Sequence, residues 1–247
     1  MDGAFLPFRR HGCWWLPRFR DDVLGLVRRG RFEEAEMRFV RSYLRPGMAF
    51  WDIGACFGLY TIPAARIVGS AGEVVAVEPD PRNLRALRKN CRVNRVRPVI
   101  IPAAVAETGG SAPFFSCRLG AYSGFTGEGV PAGVIPMTVE TVTLDSLLDS
   151  HRAPDLVKID VEGGESGVLA GAGTVIASSP AILIEVSDIR ARPFGHTGRD
   201  LCRWLEERGY MLYSLTADGR PVPHRIRARY NCMNLLALPR EWGAINT

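Results

Sequence analysis

Between Met48 and Asn94 two kinds of apolar run take turns, and that alternation restricts the chain to few folds. MAFWDIG and EVVAVEP are short and continuous, as buried strands are, whereas FGLYTIPAARIVG and PRNLRALRKNCRVN read as helices. PVIIPAAV follows as a third strand. After an irregular stretch, DLVKIDVEG, ESGVLAGAG, PAILIEVSD and DLCRWLEERGY repeat strand, helix, strand, helix. Strands separated by helices imply right-handed crossovers and a mostly parallel sheet. Two closing strands, YMLYSL and NCMNLLALP, flank a polar, Arg-rich turn and predict an antiparallel hairpin at the sheet edge. The expected class is α/β.

Residues 1–46 stand apart. They are rich in arginine and aromatics, with Trp14 beside Trp15 and a helical run from Phe32 to Leu44 that Pro46 and Gly47 end. We expect a helical extension over 1–46 that caps a domain over 47–247. Residues 107–136 break the rhythm with Gly, Ser, Ala and Pro and hold FFSC as a short strand; so long a loop in a compact domain is usually functional or disordered. The final helix stops at Gly209 and buries Leu201, Trp204 and Leu205. With 247 residues, 47% hydrophobic, and no linker rich in Pro, Gly or Ser, the chain can build one sizeable core.

Composition excludes several classes. No run of eighteen apolar residues occurs and the first thirty residues hold no signal-peptide core, so a soluble, cytoplasmic protein without a membrane span is expected. The six cysteines are scattered without a C-x-x-C pair, which predicts mostly buried thiols rather than a zinc site or a redox dithiol. The formal charge of +5 rests almost wholly on arginine, since only Lys89 and Lys158 are lysines. Arg82, Arg85, Arg88, Lys89, Arg92, Arg95 and Arg97 recur at helical steps beside Leu84, Leu87 and Cys91, as on an amphipathic helix with a solvated basic face. No nucleic-acid partner is expected, although a noncatalytic RNA-binding module using that face is an alternative.

In open α/β sheets ligands bind beyond the carboxyl ends of the strands, where the strand order reverses. Asp52, Glu78, Asp160 and Glu185 each end a predicted strand. Four acids on one rim repel one another, and a cationic or hydroxyl-rich ligand would relieve them. In WDIGACFGLYT the glycines suggest a nucleotide-like ligand lying against bare backbone. Glu78 falls 24 residues after Gly54, near the spacing at which a second strand presents an acid to ribose hydroxyls. A nicotinamide-dependent oxidoreductase would use that acid equally well. Its pyrophosphate, however, wants G-x-G-x-x-G, and Cys56 replaces the second glycine. Asp52 also suits an ammonium or sulfonium better than a pyrophosphate.

The segments WDIGACFGLYT, VVAVEPDPRNLRALRKN, VTLDSLL, LVKIDVEGGESGVLAGAG and AILIEV, in that order and spacing, resemble the FkbM-type family of S-adenosylmethionine-dependent methyltransferases over about residues 45–238. The K-I-D-V-E-G-x-E block is the most distinctive. The resemblance implies a Rossmann-like, seven-stranded fold and methyl transfer, usually to a hydroxyl of a sugar, glycolipid or polyketide-like metabolite. The family usually has Asn where this chain has Cys56.

The resemblance and the residue reading together place S-adenosylmethionine on Asp52, Gly54, Ala55, Cys56, Gly58, Thr61, Glu78 and Pro79, with Asp52 and the glycine backbone at the methionine portion and Glu78 at the ribose. Methyl transfer needs an in-line approach and a base for the alcohol proton. Asp160 is the expected base, with Lys158 as partner or orienting cation and Glu162 or Glu165 in support. Asp160 could instead cap the following helix, with Glu162 and Glu165 complementing its dipole. His196 is a second candidate base. Asp160, Glu185 and Asp188 would be the set for Mg²⁺, but nothing in the sequence fixes their geometry and no metal is expected. The acceptor is expected to be a small or lipid-linked hydroxyl compound. Its pocket would be shaped by the N-terminal cap and by Tyr122, Ser123 and Phe125; Trp14 and Trp15 would line it or, more simply, pack the extension.

Overall fold

A computed structural model describes residues 6–16, 22–117, 123–125 and 134–241. The chain begins with a hairpin, β1 (Phe8–Arg10) and β2 (Cys13–Trp15), then helices α1 (Asp22–Arg28) and α2 (Glu34–Tyr43). The alternating part follows as β3 (Ala49–Ile53), α3 (Thr61–Val68), β4 (Glu73–Val77), α4 (Pro81–Asn94) and β5 (Val99–Ile101). Strands β6 (Ala104–Val105), β7 (Gly110–Ser116) and β8 (Ile135–Val142) form a separate small sheet. Then come β9 (Leu156–Ile159), α5 (Glu165–Ala170), α6 (Gly173–Ala177), β10 (Ala181–Val186), α7 (Asp188–Ala191), α8 (Gly198–Glu207), β11 (Tyr210–Leu215), β12 (Pro221–Pro223) and β13 (Met233–Pro239).

The main sheet runs β12-β11-β13-β10-β9-β3-β4-β5. Its five neighbours from β10 to β5 are parallel, and β13 enters antiparallel between β10 and β11. The expected seven-stranded core with its antiparallel close is present, and the three-residue β12 extends it at the edge. The order reverses between β3 and β9: from β3 the chain builds outward to β5, then returns to lay β9 on the other side.

Strand parity divides the core into two layers. Phe50, Val74, Ala76, Leu156, Ala181, Leu183 and Leu236 pack under α1 to α4, while Trp51, Ile53, Val75, Val157, Ile159, Ile182 and Ile184 pack under α5, α6 and α8. Toward the carboxyl ends of the strands the first of these faces turns polar. Asp52 follows Phe50, Lys158 follows Leu156, and Glu185 follows Leu183 at the two-residue repeat. Asp52 lies beside Lys158 in register, and Glu185 beside Asn234.

Two segments differ from the sequence expectation. Residues 1–46 contain a β-hairpin as well as helices. Its backbone is seized by α4: the Asn94 side chain accepts from Trp14 N–H and donates to Trp14 C=O, both at 2.7 Å, and Asn90 accepts from Leu16 N–H at 3.0 Å. Trp15 is buried edge-on to Phe57. Residues 107–136, read as a loop around FFSC, supply a seven-residue strand from Gly110 that pairs with β8 throughout. Gly and Pro hide a strand whose stability comes from a distant partner. On α4, Leu84, Leu87 and Cys91 are buried while Arg85, Arg88, Lys89 and Arg92 are exposed, as expected of an amphipathic helix. Among the described residues, no helix is long and apolar enough to cross a membrane.

Gly54 locks the switch point. It has φ +84°, and a Cβ there would lie 1.8 Å from the Asp160 carbonyl oxygen. Gly58 (φ +93°) would place a Cβ 2.6 Å from the Leu87 methyl, a side chain that can give way. Both glycines therefore answer to the protein's own packing. Gly54→Ala should cost several times the stability lost in Gly58→Ala, which should stay near the roughly 1–3 kcal/mol of a strained residue. Urea unfolding measures both, and equal losses would refute this account.

Candidate active site

A cleft of about 800 Å³ opens over the polar face of the sheet, and it is lined from β3, β4, β9, β10, β13 and the loops that follow or flank them. Asp52, Gly54, Ala55, Cys56, Glu78, Pro79, Lys158, Asp160 and Glu162 all line it. The loop glycine Gly58 and the hydroxyl residue Thr61 support it from behind: the Thr61 hydroxyl donates to Asp52 Oδ2. Burial lifts the Asp52 pKa to about 6 against that bond and the nearby Lys158.

Glu78 organises the glycine loop. Its Oε2 accepts from Cys56 N–H at 2.7 Å, and its Oε1 accepts from Asp80 N–H at 2.8 Å and from the Asn83 amide at 3.2 Å. Burial nonetheless raises its pKa to about 7. Asp80, which sequence reasoning missed, caps α4 through Arg82 N–H and accepts from the Ser116 and Ser123 hydroxyls at 2.7 and 2.8 Å. One buried carboxylate thus moors the small sheet to the end of β4. Beside it Ala103, Ala104, Val105, Phe114 and Phe125 make an apolar wall, the two rings meeting edge-on at 5.9 Å. Tyr122 lies outside the described residues.

The other end of the cleft is acidic. Lys158 Nζ, 1% exposed, donates to Asp160 Oδ2 at 3.0 Å and to Asn234 Oδ1 at 2.9 Å, and lies 5.5 Å over the Tyr60 ring. Burial opposes its charge, but Asp160, Glu33 and Glu185 hold its pKa above the ordinary lysine value. Its neighbours thus favour the charged form. Glu33 accepts from the Asn234 amide at 2.9 Å. Glu162 pairs with Arg190 at 2.9 Å, and burial with the charges of Glu185 and Asp160 raises its pKa. Glu185 accepts from the Cys232 thiol through one oxygen, while the other is buried without a partner among the described residues; burial and Asp160 push its pKa to about 8. The Tyr60 hydroxyl is buried facing Glu33, and burial followed by the charges of Glu33 and Glu36 raises its pKa. Glu33, Cys56 and Glu162 have left-handed φ of 50°, 49° and 58° and lie on the cleft rim; His11, Arg95 and Ser179 share that conformation away from it.

Several expected residues take other posts. Asp160 does not cap α5, whose first residue follows Gly164; Glu165 instead accepts from Val161 and Gly163 N–H at 3.0 and 3.1 Å and fixes that turn. Burial lifts its pKa to about 6. Asp188 turns away from the Mg²⁺ set to accept from Gly198 and Tyr230 N–H at 2.8 Å each. The acids that do converge are Asp160, Glu165 and Glu185, within 4.8 Å of one another, with the Lys158 ammonium already on Asp160. His196 stacks on Phe194, and the cleft lining does not include it, Trp14 or Trp15. Glu33, Glu36, Tyr60 and Asn234 join the site without having been foreseen; a polar residue interrupting the apolar run NCMNLLALP was the one available signal.

A switch-point cleft on this sheet order, with strand-end acids from β3, β4, β9 and β10, defines a Rossmann-like α/β protein of the class I methyltransferase type. The chain belongs to the family described as "Methyltransferase FkbM domain", which it matches over residues 52–212. A curated relative, "Hexuronic acid methyltransferase AglP" of Haloferax volcanii, is 26% identical over 164 residues, or 65% of this chain and 64% of that protein. The chain thus matches just under two thirds of that relative's length. Among solved structures, the precorrin-6y C5,15-methyltransferase of Geobacter metallireducens has a TM-score of 0.48 at 17% identity, covering 83% of this chain and 86% of that one. The O-methyltransferase of Bacillus cereus in complex with SAH has a TM-score of 0.46 at 14% identity, covering 82% and 79%.

The raised carboxyl pKa values have a thermal consequence. Folded Asp52, Glu165, Glu78 and Glu185 keep protons that the unfolded chain gives up near pH 4, so their stabilising contribution is complete below that pH and is lost as pH rises through about 6, 7 and 8. His11, His196 and His224, whose pKa values burial lowers, act oppositely, but only below about 6.5. The melting temperature of the ligand-free protein should therefore fall between pH 6.5 and 8.5, at roughly 2–4 °C per kcal/mol, and Glu185→Gln should flatten the slope. A flat or rising wild-type profile by differential scanning fluorimetry would contradict the assignment.

Proposed function

We propose that the chain is an S-adenosylmethionine-dependent O-methyltransferase acting on a hydroxyl of a small or lipid-linked sugar compound, without nucleic acid. The observation that carries this reading is the family match running through both halves of the cleft floor. The name of the Haloferax relative supports a sugar acceptor.

The residues present suit the cofactor. The wall of Ala103, Ala104, Val105, Phe114 and Phe125 is apolar and flat-ringed, as a purine requires. Glu78 has three of its lone pairs on donors from the glycine loop and the start of α4 and keeps acceptor capacity for a ribose hydroxyl. The surplus of carboxyl groups over cations fits a ligand of net positive charge, and the Tyr60 oxygen offers it a further acceptor. When bound, S-adenosylmethionine supplies a sulfonium methyl group that passes to oxygen as the carbon–sulfur bond breaks.

The chain's own part is to position the acceptor and take its proton. Lys158 fixes one oxygen of Asp160, and the 26% exposed carboxylate turns its remaining capacity to the cleft. Asp160 there accepts the hydroxyl proton as the new carbon–oxygen bond forms. Glu165 holds the turn behind it. Residues 1–46 act as a cap that supplies Val23, Phe32, Glu33 and Glu36 to the acceptor side.

Calorimetry should show that S-adenosylhomocysteine binds the purified protein; no heat at any workable concentration would remove the reading. Asp160→Asn should lower kcat by about 10²- to 10⁴-fold with S-adenosylhomocysteine affinity nearly intact. Glu78→Gln should act chiefly on that affinity, and the reverse pattern would overturn both roles.

A further inference from the structure

The acceptor end of the cleft gathers more carboxyl groups than cations; without a ligand, burial keeps Glu185 protonated up to about pH 8, and a bound cation would take the place of that proton. Glu33, Glu36, Asp160, Glu162 and Glu185 line it, against Lys158 and Arg190. Lys158 is committed to Asp160 and Arg190 to Glu162. Glu33 accepts from the amide of Asn234 and faces the Tyr60 hydroxyl, and Glu185 accepts from the thiol of Cys232. Three carboxyl groups are thus left without a cation of their own among the described residues. A bound cofactor of net charge +1 answers one of them. Two remain, and a carboxylate-bearing sugar would add another negative charge.

Two further observations mark where a ligand's donors are missing. Tyr60 is 5% exposed, lines the cleft and turns its hydroxyl toward Glu33, while no donor among the described residues fills the lone pairs of its oxygen. Glu185 Oε2 is a second buried acceptor left empty in the same wall. With Glu33, these are three acceptors on β10, on the loop before α3 and on the turn before α2. An ammonium offers three N–H donors and one positive charge. An unpaired buried acceptor costs free energy that such a donor recovers.

We infer that the acceptor carries a protonated amine beside the hydroxyl that is methylated, as an amino sugar does, and that Glu185, Glu33 and Tyr60 receive it. This rests on the methyltransferase reading of the same cleft. It separates the chain from a relative named for an acidic sugar: fold and cofactor half are shared, and the sign of the acceptor's charge is reversed. The amine binds as a neighbouring group and is not itself methylated; the hydroxyl loses its proton to Asp160.

The test takes two stages on the full-length protein. S-adenosylhomocysteine is titrated first, which examines the methyltransferase reading alone. Glucosamine, glucose and glucuronate are then titrated separately into protein saturated with S-adenosylhomocysteine. Glucosamine should bind about 10- to 100-fold more tightly than glucose, the range expected for a charged hydrogen bond, and glucuronate should bind most weakly. Glu185→Gln and Glu33→Gln should each narrow the gap between glucosamine and glucose, with S-adenosylhomocysteine affinity reporting that the fold is intact. Equal binding of the three sugars, tighter binding of glucuronate, no measurable binding of glucosamine, or an amine preference untouched in both variants would overturn the inference while the first stage stands. Failure of the first stage would overturn both.

Discussion

The site depends on a backbone contact too close for any side chain. Where β3 ends, Gly54 passes beneath the Asp160 carbonyl at the end of β9, and Asp160 N–H returns a 3.0 Å bond to Ile53 C=O. Two parallel strands that lie side by side only because the order reverses there are thereby joined at their carboxyl ends. Their turns cannot splay. Asp52 and Lys158, neighbours in register, and Asp160, two residues further on, are forced onto one rim. A nucleotide need not touch Gly54 for glycine to be required there.

Bringing those groups together creates an electrostatic problem that the remaining site residues answer in part. Lys158 is the buried counter-ion, and removing an ammonium from water costs several kcal/mol unless its partners are well placed. Asp160 and Asn234 give it two short bonds, at 3.0 and 2.9 Å. The surrounding acids then meet their own burial cost by holding protons, as the raised pKa values of Glu162 and Glu185 express. Glu33, Cys56 and Glu162 add backbone strain on the rim. A fold that tolerates buried like charges and left-handed non-glycine residues in one place has sacrificed stability there for a ligand.

The sheet was readable because its signals are local. Period-two alternation in F-W-D, L-V-K-I-D and L-I-E states both that these are strands and that their polar residues share one face. The rim acids Asp52, Glu78, Asp160 and Glu185 follow from strand ends alone, and the cleft does gather all four. What could not be read arises from long-range partners. Nothing near Glu33 announces that it will reach Asn234, 201 residues away. Gly110 to Ser116 becomes a strand only against β8. Asn90 and Asn94 resemble an ordinary polar stripe until the hairpin backbone docks on them. Glu78 was legible as an acid at the right spacing, but its three bonds to the glycine loop and α4 were not.

The family match ends before the residues that line the cleft are complete. It spans 52–212 and so includes the glycine loop, Glu78, the apolar wall, Lys158, Asp160, Glu162 and Glu185. Val23, Phe32, Glu33 and Glu36 precede it, and Ser214, Leu215 and Asn231 to Asn234 follow it, yet all line the cleft. The shared segment therefore furnishes the switch point and the parallel part of the sheet, and the flanks furnish β13 and much of the opposing wall. The Glu33–Asn234 bond ties the two flanks together directly over Lys158, which Asn234 also contacts. Specificity carried by such flanks can change the charge of the acceptor without disturbing the strand ends beneath it. Membership in the family consequently constrains the reaction far more tightly than the compound on which it is performed.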